Sequence, residues 1–188
     1  SSLTAKKHLM VGHLLQYHPA FVAMKEMVLS GSIGELRFAH SERLSFGKLR
    51  HEEDVLWSFG PHDISMILSL VESEVSSVSC EGVKILGNQL ADSVAVNIHF
   101  ANSLKARVCC SWLHPFKEQK LIVIGEDGML VFDDGKAWDQ KLGLYRHQIK
   151  KNEKAVEAIQ GDLTYLKVDQ DEPLKLECQY FLDLINEK

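Results

Sequence analysis

The 188-residue sequence predicts an α+β domain: a predominantly antiparallel, open β-sheet with helices packed on one face. Three observations predict it. Apolar residues recur with the helical period in three separated stretches, each opened by a proline. Between the second and third stretches the period changes to two. The period-two runs are joined by short polar turns, which antiparallel neighbours can use and parallel ones cannot. Amphipathic helices need a surface for their apolar stripes, and one sheet face supplies it. The other face then stays open unless a partner covers it.

The elements follow in order. Ser1 to Lys7 is polar, and Leu9-Met10-Val11-Gly12 reads as a short buried strand. A strand so near the first residue suggests a chain that begins inside a larger protein. The first helix starts at Pro19, carries Phe21, Met24 and Val28 on one face, and closes at Gly31. Leu36 to Phe46 is extended, and Gly47 to Asp54 is a polar loop. The second helix opens at Pro61 with Ile64, Ile67, Leu68 and Val71 at helical spacing. Alternation begins at Val75. Val94, Val96, Ile98 and Phe100 form one strand face, and Leu104, Ala106, Val108, Cys110 and Trp112 form the face of its neighbour. Asn102-Ser103 turns between them. Leu121 to Ile124 and Met129 to Phe132 flank the turn Glu126-Asp127-Gly128, and Asp133-Asp134-Gly135 marks another. Lys150 to Ala158 is charged and helix-tolerant, and Thr164 to Val168 suits a strand. The last helix opens at Pro173 with Leu174, Cys178, Phe181, Leu182 and Ile185 on one stripe.

Bulk properties exclude several classes. A net charge of −5 gives no electrostatic reason to bind nucleic acid or an anionic membrane. No apolar run reaches the ~20 residues of a spanning helix, and no basic-then-apolar leader is present. Cys80, Cys109, Cys110 and Cys178 form no C-x-x-C pair and read as free thiols, so the cytoplasm is the expected compartment. There is no internal repeat.

Reactive side chains are densest from Arg43 to Asp63: Arg43, Lys48, Arg50, His51, Glu52, Glu53, Asp54, Trp57, Ser58, His62 and Asp63. His62 follows Pro61, so it is expected in the first turn of the second helix, beside unpaired N–H groups. That positive helix end would keep the imidazole neutral and fit for general-base work. A capping or packing histidine is the plain alternative. His13 and His18 have no metal-ligand spacing, and consecutive residues from His51 to Asp54 rarely converge on one ion, so no metal is expected. The sequence holds neither a G-x-G-x-x-G fingerprint nor a Gly-x-Ser-x-Gly elbow.

Several motifs resemble a known family. Val11-Gly12-His13-Leu14-Leu15-Gln16-Tyr17-His18-Pro19-Ala20 is similar to the segment that leaves the Rossmann domain in the glucose–fructose oxidoreductase / inositol dehydrogenase / MocA (Gfo/Idh/MocA) family. Arg43-Leu44, Gly47-Lys48-Leu49-Arg50, Glu52-Glu53-Asp54 and the run Leu56-Trp57-Ser58-Phe59-Gly60-Pro61-His62-Asp63-Ile64 resemble one branch of it. That branch is the bacterial 3-dehydrogenases of UDP-N-acetylglucosamine or its uronic acid. Trp112-Leu113-His114-Pro115, the hairpin from Lys120 to Asp134, and Pro173-Leu174 with Glu177-Cys178 and Phe181 continue the likeness.

The resemblance implies a sugar-binding C-terminal domain that works beside an N-terminal Rossmann domain, passing hydride from a secondary hydroxyl to NAD or NADP. It implies that His62 is the catalytic histidine. Arg43, Lys48, Arg50 and Lys117 are expected to contact a diphosphate or carboxylate of the sugar-nucleotide substrate, with ordinary surface cations as the alternative; Trp57, Ser58 and Asp63 are expected beside that substrate, and His13 and Tyr17 near the cofactor. Guanidinium and ammonium groups among these suit diphosphate or carboxylate. Many relatives carry Asp four residues before the histidine, where this chain has Ser58. The Glu-Lys-Pro motif of the Rossmann domain is absent. Residues 1–12 are therefore expected to be a Rossmann remnant, and residues 13–188 a substrate-binding and oligomerisation domain truncated near its C-terminus. No cofactor is expected to bind this stretch alone. The open sheet face, with Lys105 and Arg107, is expected to pair subunits into a homo-oligomer. A non-catalytic sugar-nucleotide-binding or dimerisation module is the competing reading, and a metal-dependent hydrolase using His51 to Asp54 is a third.

Overall fold

The computed structural model describes residues 7–47, 49–87, 89–151 and 156–186. A 3-10 turn (Leu14–Tyr17) leads into α1 (Pro19–Leu29), β1 (Leu36–Phe46), α2 (Val55–Leu70), β2 (Val75–Val83), β3 (Ser93–Phe100) and β4 (Lys105–Ser111). Then come β5 (Leu113–Gly125), β6 (Met129–Asp133), β7 (Leu142–Tyr145), β8 (Gln148–Lys151), β9 (Val156–Ile159), β10 (Leu163–Tyr165) and α3 (Pro173–Ile185). Eight strands form one sheet in the order β10-β7-β6-β5-β1-β4-β3-β2, and β8 and β9 make a separate ribbon. Every pair in the large sheet is antiparallel except β1 with β4, which are parallel. Among the described residues no helix is long and apolar enough to cross a membrane.

The sheet has one dry face. Val94, Val96, Ile98 and Phe100 of β3 alternate with half-buried Ser93, Ala95, Asn97 and His99, and Ala106, Val108 and Cys110 continue the layer on β4. Ala39 of β1, Leu121 and Val123 of β5, and Leu130 and Phe132 of β6 extend it. α2 packs on β4, β1 and β3, while α1 packs on β6 and β7. Phe38, His40 and Glu42 of β1 and Ile122 and Ile124 of β5 lie on the opposite face, which no helix among the described residues covers. The hairpin at Asn102-Ser103 forms as its sequence predicts, with Ser103 at φ 69°.

Several expectations give way. Leu9 to Gly12 forms no strand: Leu9 is 76% exposed, and the segment is coil. α2 starts six residues before Pro61, because the Asp54 carboxylate caps it by accepting from the Trp57 N–H at 2.8 Å. Pro61 therefore sits inside the helix and cannot donate to the carbonyl of Trp57; that residue is 73% exposed, so water can take the proline's place. Leu68, expected on the buried stripe, faces solvent. The helix-tolerant stretch from Lys150 to Ala158 falls instead on the β8–β9 ribbon, with residues 152–155 outside the described set. The strand expected at Thr164 to Val168 is only Leu163–Tyr165, and β7 has no counterpart in the prediction.

α3 departs furthest. It spans the expected residues, yet Leu174, Cys178, Leu182 and Ile185 of its apolar stripe are exposed. The residue it buries is Glu177. It packs chiefly on the 3-10 turn rather than on the sheet.

Gly125 ends β5 where the chain passes beneath the Ile33 carbonyl. A Cβ there would stand 2.1 Å from that oxygen, which also accepts from the Asp127 N–H at 2.9 Å. Gly125→Ala should lower stability by about 1–3 kcal/mol, the usual cost of overpacking, read as a lower urea midpoint. An unchanged midpoint would show that the crossing accommodates a methyl group.

Candidate functional site

The site begins with Asp63. On β1, Ser41 and Arg43 stand two residues apart, so both point into the helix layer, toward α2. The Ser41 hydroxyl and the Arg43 Nε–H both donate to the Asp63 carboxylate, and Arg43 Nη2 adds a bond at 3.4 Å. Asp63 is 1% exposed. Its carboxylate is spent on pinning α2 to β1, in place of the ligand contact expected of it. The guanidinium balances the buried charge, and removing either partner would strand the other.

His62 is the next residue and half-buried. It does not lie in the first helical turn, so the positive helix end is not what governs its charge. Burial is the main cause that lowers its pKa from the ordinary value near 6.5, and the Arg43 cation adds to it; Asp63 opposes, His13 lowers and Glu177 raises. The neutral form expected from sequence is thus favoured for a different reason. Nδ1 is buried and has no hydrogen-bond partner among the described residues.

The other expected residues are dispersed. His13 is half-buried at the start of the 3-10 turn, where its carbonyl accepts from the Gln16 N–H at 2.8 Å. Tyr17, at the end of that turn, directs its hydroxyl toward Met10 Sδ at 3.7 Å and sets its ring 5.4 Å from that of Tyr180. Burial raises its pKa, helped by Tyr180 and Glu177. Arg43 and Lys117 line one cavity of about 430 Å³, walled by Phe46, Phe59 and Phe116. Arg50 and Trp57 share an open cavity of about 590 Å³ with His51, Glu52 and Glu53. Arg50 is held there by Glu53 at 2.5 Å. Ser58 is half-buried one turn before His62 and makes no side-chain hydrogen bond among the described residues. Lys48 lies outside the described residues. His51 to Asp54 do not converge, since Glu53 pairs with Arg50 and Asp54 caps α2.

Two features of this region were not anticipated. Glu177 of α3 reaches the same junction: a Cβ on Gly12 would lie 3.0 Å from its Oε1. A second buried polar cluster supports the layer from α1. His18 caps that helix through Nδ1, accepting from Ala20 N–H at 3.1 Å, and its Nε2 lies 3.5 Å from Asp134. Lys141 donates to Asp134 at 2.8 Å, and Trp138 stacks on the His18 ring at 5.1 Å. Burial lowers the His18 pKa, and Lys141 adds to this against Asp134.

An open mixed sheet with helices on one face is the architecture on which this histidine is carried. A model of the GFO/IDH/MocA C-terminal domain matches residues 21–131, and the chain belongs to that family. Its fold is similar to that of UDP-N-acetylglucosamine 3-dehydrogenase GnnA from Acidithiobacillus ferrooxidans, with a TM-score of 0.77 and 21% identity over 99% of this chain and 55% of that one. An NAD-binding protein from Listeria innocua gives 0.75 and 22%, covering 99% and 56%. An inositol dehydrogenase homolog from Azotobacter vinelandii, complexed with NADH and myo-inositol, gives 0.70 and 17%, covering 94% and 51%. This chain therefore spans about half the length of these structures. No curated protein matches it significantly.

Two outcomes follow from the geometry. Asp63→Ala leaves the Arg43 charge buried and should cost about 3–5 kcal/mol in a denaturation experiment, whereas adding Arg43→Met should return part of it. Unfolding lets His18 and His62 bind protons near pH 6.5 that the folded chain resists. Stability is then present above that value and lost as the pH falls through the window below it. Urea midpoints between about pH 7.5 and 5 should show this slope, and His62→Gln should flatten it.

Proposed function

We propose that these residues form the substrate-binding half of a nicotinamide-dependent dehydrogenase that oxidises a secondary hydroxyl of a sugar nucleotide, with His62 as the general base. One observation carries the reading: a half-buried imidazole on a helix fixed by a buried ion pair, where burial and the Arg43 cation favour the neutral form over the opposing carboxylates Asp63 and Glu177. A neutral imidazole can take the hydroxyl proton as the carbon gives up hydride. The pinned helix supplies the fixed geometry such a transfer needs. In this reading Arg43 and Lys117 face the charged part of the substrate across the 430 Å³ cavity, and Arg50 and Trp57 flank the neighbouring opening.

The chain's own residues do not fit a dinucleotide. There is no glycine-rich strand-to-helix turn to approach a pyrophosphate, and the Tyr17 hydroxyl, expected near cofactor, is turned to Met10. No cofactor step is assigned to these residues. We place NAD or NADP on a separate dinucleotide-binding domain that closes over His13 and Tyr17. The exposed apolar residues Leu9, Val11, Leu174, Leu182 and Ile185 offer that domain a surface to cover. UDP-N-acetylglucosamine or its uronic acid is the proposed substrate, by analogy with the GnnA neighbour. The helix-free sheet face, with Phe38, Ile122 and Ile124 beside Lys105 and Arg107, is the proposed contact between copies.

In an enzyme carrying these residues beside a dinucleotide-binding domain, His62→Ala should reduce turnover by about 10²–10⁴, and near-normal turnover would remove His62 from the mechanism. The 188-residue chain alone should bring about no NADH formation from NAD and UDP-N-acetylglucosamine. Robust formation would overturn the division of labour proposed here. A binding module without redox chemistry would leave the two-domain protein inactive toward every sugar nucleotide tried.

A further inference from the structure

Three buried side-chain atoms lack a hydrogen-bond partner among the described residues: His40 Nε2, on the helix-free sheet face, His62 Nδ1 and Glu177 Oε1. The last two belong to one neighbourhood. α2, which carries His62, and α3, which carries Glu177, both pack on the 3-10 turn Leu14–Tyr17, and the two side chains act on each other electrostatically. One is a ring nitrogen that can donate when the ring is neutral; the other is a carboxylate oxygen that can only accept while ionised. Leaving both unpaired costs more than leaving neither, because each has already lost its water.

The alternatives for His62 Nδ1 are few. The charged and titratable groups acting on it are Arg43 of β1, its neighbour Asp63, His13 of the incoming chain and Glu177 of α3. Arg43 has no acceptor to offer. Asp63 has both oxygens engaged by Ser41 and Arg43 and lies fully inside. Ser58, one turn earlier on α2, makes no side-chain bond to the ring. Glu177 is 9% exposed, the buried residue of a helix whose apolar side chains largely face solvent. A helix that turns a carboxylate inward against its own stripe has a polar partner to meet there.

We propose that Glu177 is the positioning residue of His62: its buried oxygen receives the Nδ1–H and leaves Nε2 free to take a proton from the ligand. The inference rests on the reading of His62 as the base. In the structure neither atom has a partner among the described residues, and the Glu177 carboxylate lies beside Gly12; the proposed bond requires rotation about the Glu177 side-chain bonds. A carboxylate on Nδ1–H fixes the tautomer and supports the imidazolium that forms as the proton arrives.

Nitrogen-15 imidazole NMR of the 188-residue chain tests this directly. Wild type should show His62 neutral with its proton on Nδ1. Glu177→Gln should move the proton toward Nε2 and lower the His62 titration midpoint by about one pH unit, the effect of losing one nearby opposite charge. Adding Ser58→Asp to that variant, one helical turn from the ring, should restore the Nδ1–H form. Tyr17→Phe should leave His62 as in wild type; a shift as large as that of Glu177→Gln would assign Glu177 to Tyr17 and overturn the proposal. So would a folded Glu177→Gln variant whose tautomer and midpoint match wild type. Should Glu177→Gln lose its dispersed amide spectrum, Glu177→Asp serves: the shortened carboxylate must alter the His62 midpoint, and an unaltered one overturns the proposal. Turnover of His62→Ala decides the parent reading separately, because the NMR result needs no catalysis.

Discussion

The carboxylate of Asp63 is the constraint on which the helix layer depends. It enters from α2, meets Ser41 and Arg43 on the central strand, and has no solvent to fall back on. An uncompensated charge in that place would be far costlier than the net gain from the pair, so the three residues are coupled more tightly than any apolar contact nearby. α2 can neither slide nor rotate without breaking them. Its direct neighbour in sequence, His62, inherits that rigidity: one peptide bond and one rotamer separate the fixed carboxylate from the imidazole.

The same pair shapes the electrostatics around the histidine. Arg43 is near enough to disfavour a second cation, while Asp63, though closer in sequence, is already neutralised. Burial does the rest. The proline inside α2 fits this picture, since the carbonyl it leaves unbonded belongs to Trp57, on the exposed side of the helix. On the far side, the His18–Asp134–Lys141 cluster seats α1 with its own satisfied hydrogen bonds. The two polar clusters, rather than the apolar layer alone, set where the helices lie on the sheet.

What was legible in the sequence was what is decided locally. Val94 to Phe100 and Leu104 to Trp112 alternate so cleanly that strand, face and turn could all be read, and Pro19 with Gly31 bounded α1. Non-local facts were not legible. Nothing near Pro61 says that Asp54 caps the helix six residues ahead of it, and a proline read as a first-turn residue displaced His62 to a helix end it does not occupy. Nor does local pattern reveal that Asp63 is taken by residues twenty positions earlier. The parallel pairing of β1 with β4 is hidden for the same reason: its partners are separated by a helix and a hairpin. Glu177 did leave a signal. It lies three residues after Leu174 and four before Phe181, a charged residue among apolar ones at helical spacing.

The central position of β1 has a consequence for how the chain reaches its native state. Its two neighbours, β4 and β5, both come much later in the sequence, so Arg43 is registered against Cys110 on one side and Gln119 on the other. β3 with β4 and β5 with β6 can zip as local hairpins in microseconds, but the strand between them must wait for two distant loop closures. Insertion of β1 between the two ribbons therefore carries the longest loop closures of the sheet, and until it occurs β4 and β5 each keep an unpaired edge.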